Sequence, residues 1–367
     1  MLVLMTVTHL PTRFASWVSQ PFGYVSAAEG FVFLSAFLVG SIYTERALKD
    51  GPRAMRGALW RRAYFIYLCH AAMLLFLFTV IAAIGIETNR QAIKNLISFY
   101  LQEPLTALWT GFALIYNPPL LDILPMYVLF MLATPGLLSL GLRGHWPLIM
   151  GASVLVWLLA QYDLSAIAYA TIVRATQLKV PLHQTGAFEL VAWQFVWVLG
   201  LWMGASLAAS KASPAVRFPK WLLGTALAIG LGCLLWRHAL GQAPFGANVQ
   251  LNLLFDKWKL GPLRVLDFFA LLVLFMHFGP KLAARVRLGF LEVLGAASLP
   301  VFCAHLVIAL LAISVLGDKQ EWMAPWRELL LLSATFAVLY AVAWLSRRGK
   351  TGARAAPAVP PVSVRTA

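Results

Sequence analysis

Residues 27–62 read AAEGFVFLSAFLVGSIYTERALKDGPRAMRGALWRR: an apolar run with Glu29 near its start, then six basic residues, Arg46, Lys49, Arg53, Arg56, Arg61 and Arg62. A helix that crosses the ~30 Å hydrocarbon core of a bilayer needs roughly 20 mostly apolar residues. A carboxylate within such a helix is costly unless it is paired or lines a wet cavity. The basic cluster marks the cytoplasmic side. One segment therefore implies an integral membrane protein, an orientation and a candidate working residue.

Composition agrees. Hydrophobic residues make up 61% of the 367 and charged residues only 12%, against about 25% charged in soluble domains, which excludes a water-soluble fold. The net charge of +15 reflects positive-inside bias and attraction to anionic lipid headgroups, so membrane lipids are expected partners and nucleic acid is not. Cys69, Cys233 and Cys303 all fall in apolar runs without metal-ligand or CxxC spacing, so neither a disulfide framework nor a metal site is expected. The first ten residues lack a basic n-region and a small-residue cleavage site, so no cleavable signal peptide is expected.

Ten apolar runs can be marked: 1–10, 27–43, 63–84, 123–141, 146–160, 187–207, 221–238, 262–279, 290–316 and 326–346. Backbone exposed to lipid must satisfy its own hydrogen bonds, so the fold class is all-α, a polytopic transmembrane bundle of about ten helices over residues 1–346. With the amino terminus inside, the cytoplasmic segments hold 18 Lys and Arg and the longer opposite segments 11. Both termini are then cytoplasmic. The tail 347–367 is rich in Pro and Ala and is expected to be disordered. The outward segment 85–122 is aromatic and partly apolar, which suits a re-entrant or interfacial element over the bundle. Only eight residues precede His9, about 12 Å of helix. Either the first helix is a stub or, as we expect, the natural protein starts upstream.

His9-Leu10-Pro11 closes the first run, Ala28-Glu29-Gly30-Phe31-Val32-Phe33-Leu34-Ser35 opens the second and Leu121-Asp122-Ile123-Leu124-Pro125-Met126-Tyr127 opens the fourth. Trp193-Gln194-Phe195 enters the sixth. In this order the chain resembles the OpgC-type family of integral membrane acyltransferases, named for the succinyltransferase of osmoregulated periplasmic glucans and related to the acyltransferase-3 superfamily. Thr8 stands where that family usually has an acid, and the family's arginine eleven residues before the histidine would precede Met1. These departures suggest a divergent branch. The resemblance implies a bacterial inner-membrane O-acyltransferase with no bound cofactor. Its donor would be cytoplasmic acyl-CoA, succinyl-CoA by family, and its acceptor a periplasmic glucan or related carbohydrate.

That task needs polar groups at several depths. On the outer side stand His9, Glu29 and Asp122. A histidine suits removal of a sugar hydroxyl proton, and Glu29 is the candidate to orient its ring if the first two helices pack closely. Without the resemblance, His9 reads as an interfacial histidine, and Glu29 equally as a cap of its own helix. Asp122 caps the helix that follows or lines the acceptor cleft. Trp109, Phe112 and Tyr116 stack on sugar rings or form an aromatic belt. Deeper, Arg264 and Asp267 read as an ion pair on one helix, Ser35 as bonded to its own backbone, and His305, near Cys303, as lining the acyl path or bonding a carbonyl. On the inner side Arg61 and Arg62, with His70 two turns deeper, clamp the CoA phosphates or anchor headgroups. The rival function is a glycan or lipid-linked glycan transporter or flippase without covalent chemistry; a membrane scaffold is a third. No repeated, broken-helix halves favour the transporter.

Overall fold

The computed structural model describes residues 1–210, 218–285, 288–317 and 323–355. Within them the chain is helical without strands, and eight helices are long and apolar enough to cross a membrane. α1 (Leu2–His9) is a helix of eight residues. α2 (Ala27–Asp50) opens with a capping box: Ser26 Oγ accepts from the Ala28 N–H, and Glu29 Oε2 accepts from the Ser26 N–H at 3.0 Å. It closes at Gly51, whose φ of 86° suits a residue without Cβ. Pro52 then starts α3 (Pro52–Phe76), which continues through a π turn, Leu77–Ile81, to Glu87. The basic stretch 44–62 is thus not a loop as expected. It forms the end of one helix and the first three turns of the next, because Lys and Arg are good helix formers.

The segment after α3 folds into short helices, Gln91–Leu96, Ser98–Gln102 and α4 (Pro104–Phe112). Ile93, Ile97, Phe99 and Ala107 are buried in the core, and His70 and Tyr67 of α3 bond the carbonyls of Gly111 and Phe112. α5 (Ile123–Leu140) and α6 (Trp146–Ala160) form one apolar stretch of 38 residues. A straight helix of that length would measure about 57 Å. Gly144, with φ 93°, breaks it. α7 (Leu190–Ser210) packs along α2 with backbones almost touching: a Cβ on Gly200 would sit 2.6 Å from the Phe33 carbonyl, and one on Gly204 or Gly40 would strike the opposing backbone. Small residues four apart permit such an approach in lipid.

α8 (Lys220–Leu240), α9 (Pro262–Arg285), α10 (Ser298–Leu316) and α11 (Pro325–Ala355) complete the chain. The run expected as 290–316 is two helices, Gly289–Ala296 and α10, separated at Ala297. α11 continues past the expected end at 346 to Ala355; the rest of the tail lies outside the described residues.

Candidate active site

α1 ends at His9 beside α10, and there two histidines meet. His9 Nδ1 lies 3.2 Å from His305 Nε2, with the rings stacked at 5.4 Å and 14°. His9 lines a cavity of about 500 Å³, whose wall includes Ser26, Ala27, Asp122, Phe188, Lys257 and Trp258. His305 is buried behind it and is not on that wall. One ring of the pair must donate and the other accept. The tautomer with the proton on His9 Nδ1 leaves the Nε2 lone pair available to a hydroxyl in the cavity.

Glu29 does not orient His9. Its Oε1 accepts from Arg264 Nε at 2.5 Å and its Oε2 from Ser26. Both Glu29 and Arg264 are buried. A carboxylate in the first turn of a helix meets unpaired backbone N–H groups, and a buried guanidinium claims the other oxygen. Arg264 therefore does not pair with Asp267 along α9. Asp267 instead accepts from the Tyr24 N–H at 2.8 Å, tying the loop before α2 to α9. Arg264 also donates to the Phe255 carbonyl at 3.1 Å.

Asp122 precedes α5 but does not cap it with its side chain. It lines the cavity, and its Oδ2 accepts from the Ala187 N–H at 3.2 Å. Burial pushes its carboxyl up to about 6.

The family model for OpgC protein matches residues 1–351. The chain belongs to the OpgC family. No curated protein and no solved structure matches it.

The other expected site residues of this OpgC-family chain separate. Tyr116 is buried, with its ring 5.0 Å from Phe99 and 6.1 Å from Phe78, so it belongs to the core and cannot stack on a sugar. Trp109 is half exposed and away from the cavity. Arg61 is exposed, whereas Arg62 lines a second, small cavity of about 30 Å³ with Ser35, Tyr127 and Ser298. Ser35 faces Tyr127 there. Ile123 and Phe302 wall both cavities.

Sequence reasoning missed Lys257, Trp258, Phe188 and Gln20, all of which line the large cavity. Trp258 and Lys257 sit in the loop before α9, and their signal was weak: one aromatic beside one cation in an outward segment. Trp193 and Gln194, in the stretch that carries the resemblance, act from behind the wall. Trp193 Nε1 donates to the Trp258 carbonyl at 2.9 Å, and Gln194 is bonded to Ser153 on α6.

Proposed function

We propose that this protein transfers an acyl group, succinyl by family, from cytoplasmic acyl-CoA to a hydroxyl of a periplasmic glucan or related carbohydrate in the bacterial inner membrane. The observation that carries this reading is the His9–His305 pair at the wall of the 500 Å³ cavity.

His305 Nε2 accepts from His9 Nδ1–H and fixes the tautomer, as a carboxylate does in other acyl-transfer sites. His9 Nε2 takes the proton of the sugar hydroxyl as its oxygen bonds to the thioester carbonyl carbon. The tetrahedral intermediate collapses with cleavage of the C–S bond. The departing CoA sulfur receives the proton from the His9 imidazolium, so base and acid are one group and no net charge remains on it. Asp122 and Trp258 supply the carboxylate and ring face by which a sugar is oriented, a pairing of polar and apolar contacts usual in ligand pockets.

The donor enters from the opposite side. α2 places about 33 Å between Ala28, on the large cavity, and Asp50, at its basic end. Arg62, three turns in from the basic start of α3, reaches a small cavity that Phe31 and Ser35 of α2 also line, and Ile123 and Phe302 stand between that cavity and the large one. An acyl chain passing between them reaches the histidine without either solution mixing. Arg62 is then the donor-side cation, and Arg61 is left to lipid headgroups.

Mass spectrometry of periplasmic glucans tests the reading, in a deletion strain complemented with the native gene or with His9→Ala. Acyl-ester increments should vanish on deletion, return with the native gene and stay absent with His9→Ala. Identical glucans in all three strains would refute it.

A further inference from the structure

We propose that Lys257 reads the charge of the transferred group, its ammonium binding the free carboxylate of a dicarboxylic acyl donor beside His9. The proposal rests on the acyl-transfer reading above and assigns the residue that selects the donor.

Lys257 stands at a junction. It lines the 500 Å³ cavity with His9 and also an adjoining cavity of about 250 Å³ bounded by Tyr24, Phe255 and Arg264. Its Nζ lies 4.6 Å from the centre of the Trp258 ring and 5.7 Å from that of Phe188. Among the described residues it joins no ion pair. The charges that act on it are Glu29, Asp122 and Arg264. The acids are otherwise engaged: Glu29 by Arg264 and Ser26, and Asp122 by the Ala187 amide. Asp256, its neighbour in the chain, accepts from the Lys259 N–H. Burial lowers the Lys257 pKa from the ordinary lysine value. A half-buried cation held by ring faces alone is costly, and an arriving carboxylate removes that cost.

The loop is built to hold this side chain still. The carbonyls of Trp258, Lys259 and Leu260 accept from Trp193, Gln161 and Trp157 at 2.9 Å each. Gly261 lies so close to the Leu253 and Leu254 carbonyls that no Cβ fits. Lys259, two residues on, is paired with Asp163 outside the cavity. Lys257 also acts electrostatically on His9. A cation in the same 500 Å³ cavity as the base suits a carboxylate two methylenes from the reacting carbonyl, better than one on a distant part of a polymer.

Purified enzyme in lipid vesicles would be given succinyl-CoA or acetyl-CoA with a neutral glucan acceptor, and kcat/KM compared for native protein, Lys257→Met and Lys257→Arg. Lys257→Met should lower the succinyl-to-acetyl ratio about tenfold or more, the scale of a hydrogen bond to a charged group. The fall should lie in KM for succinyl-CoA, with acetyl transfer retained, and Lys257→Arg should restore most of the preference. An unchanged ratio, or equal loss with both donors, would overturn the proposal while leaving acyl transfer intact. A Lys257→Met effect that follows anionic substituents on the glucan, and not the donor, would overturn it too. Native protein that transfers neither group would instead refute the acyl-transfer reading itself.

Discussion

Glu29 and Arg264 form a buried ion pair in which each partner has a second hydrogen-bonding duty. Removing one member strands the other charge, a loss of about 3–5 kcal/mol. Glu29→Ala should therefore lower the thermal midpoint in detergent sharply, and Glu29→Met combined with Arg264→Leu should recover part of the loss. A Glu29→Ala protein as stable as native would contradict this assignment. His305 makes a different forecast. His305→Ala should cut kcat by about 100-fold, the scale of a correctly held general base, with little change in acceptor KM. His305→Asn, which keeps a hydrogen-bonding group, should lose less. Asp122 gives a pH signature. Its carboxyl titrates near 6 in the folded protein and about 3.9 when unfolded. The folded state thus holds the proton more tightly, so this group's stabilising effect is fully present below about pH 4, and is lost as pH rises to about 6. Thermal scans across that range should show the slope, and Asp122→Asn should remove it.

At the scale of elements, the contact of α2 with α7 is the tightest packing in the bundle. Gly200 and Gly204 on one helix and Gly40 on the other leave no room for a side chain. Gly204→Val should separate the helices and destabilise the protein by about 1–3 kcal/mol or more, read as a lower midpoint and easier proteolysis in detergent. Gly224→Ala on α8, where a Cβ meets open space, is the control. The glycines were visible in the chain, but which of them face another backbone was not, since Gly224 and Gly232 also lie in an apolar helix and meet open space. The long apolar runs were legible because period and length alone mark a spanning helix. Breaks such as Ala297 were not, because a local turn inside a continuous apolar run leaves no hydropathy signal.

Across the whole molecule, the basic ends of α2 and α3 lie far from the histidine cavity, which predicts opposite exposure. In a background lacking Cys69, Cys233 and Cys303, Gln242→Cys on the cavity rim should react with an impermeant maleimide added outside. Arg53→Cys should react only after permeabilisation. Labelling of both from the same side would invert or abolish the proposed path. The sequence by itself determined the membrane class, the all-helical architecture and the charge asymmetry, and it singled out His9 and Asp122 as candidates, because hydropathy and charge act locally along the chain. Only the tertiary structure decided partnership. Glu29 turned from histidine to arginine, His305 took its place behind His9, Tyr116 joined the core, and Lys257 came to face the cavity. These pairings join residues up to 296 positions apart, and a buried polar group takes whichever partner packing brings within hydrogen-bond reach.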